Sequence, residues 1–401
     1  MRKITAQERR RALVRRHHLA GDANGPEAVV RALIALHATD PASVYLSVLA
    51  RSATTTLSDV ADAMYERRSL VRWMAMRRTL FVFAREDIPI VQAAVSIAIA
   101  ATLRRRLITQ LERNGSEPPI ERDIAGWLDE LGTGVETVLT RRGAATGTQL
   151  AADEPGLRTR ILARTASERA HNLTTRLLTL MSTEGRLVRG TPTGTWTSRQ
   201  HRWEPVARWW PEGLPALDPA QAQRDLARRW LARFGPARTD DLQWWTGWNT
   251  TTTRRALEHL ALEEVDLHGQ PGIDLPNPDR RLADETPDEP VAALLPTLDP
   301  TPMGWKTRNW FLGIDPAHVF DPAGNIGPTL WWNGEIVGSW TITPGGELRW
   351  EVIADRGAEA HSAIEQAASR LHRRLHGAVV TPAIRAPLER ALTDRHGGRN
   401  T

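Results

Sequence analysis

The chain has 401 residues, a hydrophobic fraction of 41% and a formal net charge of +5 at pH 7. This length exceeds one ordinary hydrophobic core, so we expect two to four compact units. The absence of cysteine excludes disulfides, thiolate metal sites and a cysteine nucleophile. The N-terminus lacks the apolar core of a signal peptide, and the apolar run 88–103 falls short of a membrane span. We therefore expect a soluble cytoplasmic protein.

Positive charge is concentrated near the N-terminus. Residues 1–110 carry 18 Lys and Arg against 9 Asp and Glu, a net charge of +9, which leaves −4 for the remainder of a chain of net +5. A basic N-terminal third predicts a surface that faces a polyanion. The alternative is a solvated face in a protein from a GC-rich genome, because only Lys3 and Lys306 are lysines and every other cation is arginine.

The first predicted unit covers residues 1–86. Its pattern predicts several helices, including an apolar one over Ala28–Leu36, then a basic segment Leu70–Arg78 and a strand Thr79–Phe83. Helices followed by a short strand are typical of a winged helix. A long helix that begins at Asp87 predicts a connection through residues 87–120.

Two further winged-helix units are predicted at residues 121–215 and 216–276. The former has two short helices, Glu121–Leu131 and Glu136–Arg142, and then a helix at His171–Met181 followed by two strands and a Gly/Pro turn. The latter has helices at Ala220–Phe234 and Asp240–Thr246, then one capped by Thr250 or Thr251, and a small hairpin. Short helices that precede a hairpin suit the major groove of duplex DNA, where arginines can reach phosphates.

An acidic, proline-rich linker is predicted at residues 277–290, followed by a C-terminal β-rich domain at 291–401 with a closing helix. Asn333-Gly334 is a strong hairpin turn, and 14 of the 16 tryptophans follow Gly190, which favours aromatic core packing. The predicted fold class is α+β, with about three tandem winged-helix units. No long heptad dimerisation helix is evident, so we expect a monomer.

One stretch concentrates polar chemistry: His37, Thr39 and Asp40 follow an apolar run and precede Pro41. A residue before proline is extended and proline suits the first helical turn, so the pattern predicts a helix-to-helix elbow that positions these side chains. Asp40 is equally typical of a helix N-cap. His37 can also be a boundary histidine with satisfied hydrogen bonds, and Thr39 alone carries little information.

Five segments together resemble the winged-helix DNA-binding family that includes the AlkZ and YcaQ DNA glycosylases. The resemblance spans nearly the whole chain in order. It implies three winged-helix units and a β-rich domain that form a C-shaped clamp on duplex DNA. It also implies removal of alkylated bases and release of interstrand crosslinks, in base excision repair or toxin self-resistance. The segments are the elbow, residues 71–80, residues 234–236 with 241–247, residues 294–300 with 303–306, and residues 324–328.

The family's catalytic motif is Gln-x-Gln or Gln-x-Asp followed by Asp, and by position this implies His37, Thr39 and Asp40 as the catalytic residues. Thr39 departs from the motif because it lacks the reach of Gln and the charge of Asp. A neutral His37 can accept a proton from water, since an ordinary histidine has a pKa of about 6.5. We expect no metal or other cofactor.

The basic character of the chain and the resemblance make seven residues candidate DNA contacts: Arg51, Arg72, Arg77, Arg78, Thr79, Lys306 and Arg308. The alternative function is a non-catalytic winged-helix DNA-binding protein, either a transcriptional regulator or a lesion sensor, located with the nucleoid. Both functions require double-stranded DNA as partner and no membrane. Only the former requires the elbow to be catalytic.

Overall fold

The computed structural model describes residues 1–165, 169–276 and 289–395. The predicted linker therefore lies almost entirely outside the described residues. The helices are α1 Ala6–Arg16, α2 Gly25–Leu33, α3 Pro41–Leu49, α4 Leu57–Tyr65, α5 Ile88–Val91, α6 Ile97–Asn114, α7 Ile124–Arg142, α8 Gly147–Asp153, α9 Leu173–Thr183, α10 Pro219–Phe234, α11 Thr239–Thr246, α12 Thr250–Glu258, α13 Ala358–Arg374 and α14 Pro387–Asp394.

The strands are short and form small sheets, so the fold is mixed α+β. They are β1 Arg2–Ile4, β2 Ala35–His37, β3 Leu70–Ala75, β4 Thr79–Ala84, β5 Ser116–Glu117, β6 Arg160–Ile161, β7 His171–Asn172, β8 Leu187–Pro192, β9 His201–Pro205, β10 Glu263–Leu267, β11 Pro271–Asp274, β12 Ala292–Leu295, β13 Thr329–Trp332, β14 Glu335–Ile342 and β15 Leu348–Val352.

Internal contacts divide the chain into two compact units. The first unit contains residues 1–70, 81–85 and 224–401, and the second contains residues 71–80 and 86–223. The first unit therefore gathers segments that are far apart in the sequence. This division is coarser than the six predicted segments and does not test their boundaries.

The first unit contains an antiparallel sheet in the order β12-β13-β14-β15, against which α13 and α14 pack. The hairpin β10–β11 follows α11 and α12, and β1 extends it as a parallel neighbour of β10. The predicted helix pair, hairpin and C-terminal strands are confirmed as elements. Asn249, rather than Thr250 or Thr251, caps α12, because its Oδ1 accepts the Thr252 N–H at 2.8 Å.

The second unit has its core between α6, α7, α8 and α9. The predicted long helix is confirmed, although its early part, Gln92–Ser96, winds as a π-helix between α5 and α6. By length and hydropathy the helical stretch from Arg85 to Asn114 is a candidate membrane span, but half of its most apolar window is buried in the protein. Core helices of soluble proteins pass the same test.

A single helix, α7, replaces the two shorter helices expected around residues 121–142. Gly132 and Gly134 lie in its middle, and glycine there lowers helix propensity. A Cβ at Gly132 would lie 2.7 Å from the Arg186 guanidinium, and one at Gly134 would collide with the Glu154 carboxylate. The glycines give room for crossing charged side chains, so tertiary packing overrides the local signal for a break.

Candidate active site

The predicted elbow is a helix–strand–helix corner. α2 ends at Leu33, and Ala35–His37 forms β2 instead of continuing the helix. β2 pairs antiparallel with β4, so that His37 lies opposite Phe81. This corrects the expectation of a helix through Leu36, because pairing with a distant strand rich in β-branched and aromatic residues outweighs the local helical pattern.

Ile34 makes the sharp change of direction at the corner. Its φ is 64° and its ψ is −46°, close to a classic γ-turn, which is rare and strained for a β-branched residue. Ile34 is 3% exposed, so packing on all sides holds it in this conformation. Backbone strain of this kind is common where a structure fixes functional groups. The sequence pattern did not predict this conformation of Ile34.

His37 is held on the strand that follows. Its ring lies 4.7 Å from the ring of Phe81, between centroids, and the residue is 8% exposed. Its main chain pairs with the Phe81 position of β4. Strand pairing and an aromatic neighbour therefore fix the imidazole, while a small fraction of it still reaches the surface.

Asp40 occupies the N-cap position of α3 as predicted, but its side chain does not cap that helix. Its Oδ2 accepts the N–H of Ala383 at 2.9 Å, and the residue is only 3% exposed. Thr39, in contrast, is exposed. The corner therefore combines an exposed threonine with a nearly buried histidine and a nearly buried aspartate.

The space beside Asp40 inside the first unit is small. A cavity lined by Asp40, Leu46, Pro296, Trp340 and Pro382 offers only about 10 Å³ to water, close to the volume that one water needs. A nucleobase does not fit there. Thr39, by contrast, is exposed on the same corner.

Arg51 is not placed to contact DNA. Its guanidinium is completely buried and forms a bidentate pair with Asp299, at 2.8 and 2.6 Å. It also donates to the Thr301 hydroxyl at 2.7 Å and to the His17 carbonyl at 2.9 Å. The structure thus gives Arg51 a structural role, which corrects its prediction as a DNA contact.

His17 completes that buried network. Burial, then the positive charge of Arg51, holds the pKa of His17 well below its ordinary value, so the ring is neutral. Its Nε2 lies 3.3 Å from the Arg233 carbonyl and its Nδ1 lies 2.9 Å from Thr301 Oγ1. The network assigns the proton to Nε2, since a carbonyl can only accept.

Arg72 is also placed inside the protein, in the second unit. It is 5% exposed and donates to the Gly190 carbonyl. The positive charge of Arg72 also acts on two other basic side chains, Arg189 and His201. Burial and Arg72 lower the pKa of Arg189 to about 10, and burial, Arg189 and Arg72 lower the pKa of His201 to about 4. The prediction of Arg72 as a DNA contact is corrected in the same way as that of Arg51.

Arg77 and Arg78 lie exposed in the turn between β3 and β4, followed by half-buried Thr79. Their φ angles are 53° and 60°, a pair of positive values that type I′ turns normally assign to Asn and Gly. The turn closes with the Thr79 N–H donating to the Met76 carbonyl. Two arginines thus accept a strained backbone at an exposed tip.

Lys306 and Arg308 differ in exposure. Lys306 has an exposed side chain, while its backbone N–H donates to buried Asp241 at 3.0 Å. Arg308 is half-buried, donates to the carbonyls of Trp305 and Gly324, and lies over the Trp244 and Phe320 rings. The structure gives Arg308 packing contacts, which leaves Lys306 as the solvent-facing cation of this segment.

Metal ligation has no support in the described residues, among which no group of three or more His, Asp or Glu side chains could hold an ion. The corner itself supplies one imidazole, one hydroxyl and one carboxylate. Groups of these types can accept a proton and stabilise positive charge.

Comparison with known proteins supplies the family. Residues 30–374 match the model of a family described as DNA glycosylase AlkZ-like. No curated protein matches the chain. Among solved structures, the Streptomyces sahachiroi DNA glycosylase AlkZ has a similar fold, with a TM-score of 0.70 and 20% identity, over 95% of this chain and 99% of that one. Because the family model covers most of the sequence, the chain belongs to the AlkZ-like DNA glycosylase family.

Proposed function

We propose that the protein is a monofunctional DNA glycosylase that hydrolyses the N-glycosidic bond of alkylated or crosslinked bases in duplex DNA. Membership in the AlkZ-like family supports a DNA substrate and a role in DNA repair. The observation that carries the finer proposal is the corner, where a strained residue and strand pairing fix His37, and a hydrogen bond fixes Asp40 three residues later. Such fixed polar groups are what a hydrolytic site needs.

Asp40 would stabilise the positive charge that develops on the sugar. Glycosidic bond cleavage passes through an oxocarbenium-like state, as in sugar hydrolysis generally. A carboxylate that is 3% exposed and already bonded to one N–H acts in a region of low dielectric, where its attraction for a nearby cation is strong. Its fixed hydrogen bond means that little reorganisation accompanies the reaction.

His37 and Thr39 would handle the attacking water. Water donates a proton to the His37 imidazole while its oxygen attacks the anomeric carbon, and the carbon–nitrogen electron pair leaves with the base. A cationic alkylpurine departs as a neutral base, so no general acid is required. Thr39, the exposed member of the corner, would orient the water through its hydroxyl.

Arg77, Arg78 and Lys306 would contact the DNA backbone. All three have exposed side chains, and the strained turn holds the two arginines at its tip. Such strain persists only where the surrounding structure enforces it, and it is often functional. Thr79, half-buried in the same turn, remains a candidate contact.

The finer architecture stays part of this proposal. It comprises three winged-helix units within residues 1–86, 121–215 and 216–276, a β-rich domain at 291–401 and a C-shaped clamp on DNA. The helix pair α11–α12 with the hairpin β10–β11 supports one such unit. A monomer associated with the nucleoid remains a prediction.

The test is direct. The protein is incubated with a duplex that contains N7-methylguanine, and with one that carries an interstrand crosslink. Free base is quantified by mass spectrometry, and abasic sites are quantified by alkaline strand cleavage. We expect both products from at least one of the duplexes, and an undamaged duplex serves as control. Binding without either product would overturn the proposed activity.

A second function has its own support. Burial of His37 and Asp40, and Thr39 in place of a Gln or Asp, favour a DNA-binding protein that recognises lesions or regulates transcription without catalysis. The two functions diverge on one result, because a regulator or sensor binds damaged duplex without releasing base.

A further inference from the structure

The second unit carries an exposed groove lined by basic side chains that none of the functions above uses. The cavity measures about 650 Å³, and Leu162 contributes to its apolar wall. The basic side chains that line it are Arg105, Arg106, Arg113, Arg164, Arg169 and His171.

Helical geometry gathers half of these cations on one face of α6. Arg105, Arg106 and Arg113 lie at positions that an α-helix brings to one side, with Thr109 and Gln110 between them on the same stripe. With a rise of about 1.5 Å per residue, the charged stripe extends over roughly 12 Å. That length exceeds the separation of neighbouring phosphates along one strand of B-DNA, so the stripe can contact more than one phosphate.

Two arginines of this groove, Arg106 and Arg113, are not neutralised as the neighbouring Arg104 is. Arg104, the adjacent residue of α6, pairs with Asp129 at 2.6 Å and with Glu184 at 2.8 Å. Within the described part of the chain, Arg106 and Arg113 have no carboxylate partner, and no carboxylate lines the groove. Clustered like charges repel one another, and an anion in the groove would remove that repulsion.

We propose that this groove binds the phosphate backbone of duplex DNA without regard to base sequence. The proposal rests on the proposed function for its ligand. The guanidinium group matches phosphate oxygens through two parallel hydrogen bonds, which suits several arginines arranged along a line. An open groove with a stripe of cations fits a continuous polyanion better than it fits a single small anion.

The test uses a triple variant, Arg105→Gln, Arg106→Gln and Arg113→Gln. The matched control is Arg122→Gln, Arg141→Gln and Arg176→Gln, three exposed arginines of the same unit outside the groove. Both variants lose the same net charge. A third variant has lysine at residues 105, 106 and 113 and therefore keeps the positive charge of the groove. Circular dichroism spectra of all three variants check that each variant folds.

Affinity for a labelled undamaged duplex is measured by fluorescence anisotropy across a series of KCl concentrations. Each lost phosphate contact lowers the slope of log affinity against log salt by about 0.9. We expect the magnitude of this slope to decrease by about 2 to 3 in the groove variant and by less than about 1 in the control. The lysine variant should keep most of the slope.

Equal slopes for the groove variant and the control would overturn the proposal, and so would a folded wild-type protein that does not bind duplex. Competition by inorganic tripolyphosphate in the absence of any effect on the DNA slope would assign the groove to a small polyphosphate instead. Because the duplex is undamaged, this readout is separate from base release. A wild-type protein that binds through the groove yet releases no base would refute only the glycosylase.

Discussion

At the scale of single residues, the structure separates side chains that look equivalent in the sequence. Arg51, Arg72, Arg77 and Arg78 all belong to the basic N-terminal third. The former two are buried and bonded to protein groups, whereas the latter two are exposed on a turn. The charge pattern indicated a basic region. Which cation faces solvent depends on partners such as Asp299, 248 residues away from Arg51, which no local pattern reveals.

Asp40 illustrates the same limit. Asp before Pro predicted a helix start, and α3 does begin at Pro41. The partner of the carboxylate, the N–H of Ala383, lies 343 residues further on, so the sequence indicated an N-cap side chain where the structure has an anchor for a distant segment.

That anchor predicts a difference between two variants of Asp40. Asp40→Ala removes the acceptor of the Ala383 N–H, and we expect the free energy of unfolding to fall by about 1–3 kcal/mol. Asp40→Asn keeps an oxygen at the same position, so the loss should be less than about 1 kcal/mol. Urea denaturation followed by tryptophan fluorescence measures both. Equal losses would show that the hydrogen bond does not stabilise the fold.

At the scale of elements, local patterns predicted most helices, β4 and the hairpins, because their periodicity and turn residues lie within the element itself. β2 was missed since its three residues become a strand only by pairing with β4. The continuous α7 was missed because its glycines are explained by side chains from other elements. Pairing and crossing between distant segments are not encoded locally.

The pair Arg51–Asp299 joins the end of α3 to the segment after β12, and it predicts a strong structural effect. Asp299→Asn leaves a fully buried guanidinium without its counter-charge, and breaking such a pair typically costs about 3–5 kcal/mol. Glu365→Gln, on an exposed position of α13, is the control and should change stability by less than about 0.5 kcal/mol. Urea titration decides, and similar midpoints for the two variants would contradict this role for the pair.

At the scale of the whole molecule, two histidines predict how stability varies with pH. The pKa values of His17 and His201 are lowered in the folded protein, chiefly by burial. The unfolded chain therefore binds more protons below about pH 6.5. The contribution of the two neutral histidines to the free energy of unfolding is fully present above that pH. It decreases as the pH drops towards the folded pKa, by at most about 1.4 kcal/mol per pH unit for each histidine.

The measurement is the free energy of unfolding between pH 7 and pH 5, for wild type and for His17→Gln. The variant should show a shallower fall because one buried titrating ring is gone. His361→Gln, at an exposed position of α13, should follow the wild-type slope. A wild-type stability that does not change over this range would contradict the neutral, buried state of His17.

The family emerges from the chain as a whole, whereas the proposed catalysis rests on one corner. The resemblance seen in the sequence is confirmed by the family match over residues 30–374. The departure at His37 and Thr39 was visible in the sequence. The enclosure of His37 and Asp40, which decides how these groups can act, was not.

The most direct measurement is the single-turnover rate of base release from a duplex with one N7-methylguanine, for wild type, His37→Ala and Asp40→Asn. Asp40→Asn keeps the Ala383 hydrogen bond and removes the negative charge. We expect each variant to lose at least about 100-fold in rate, the size typical of a group that accepts a proton or stabilises charge. Release by wild type at a rate that both variants share would contradict the assignment of the corner as the active site.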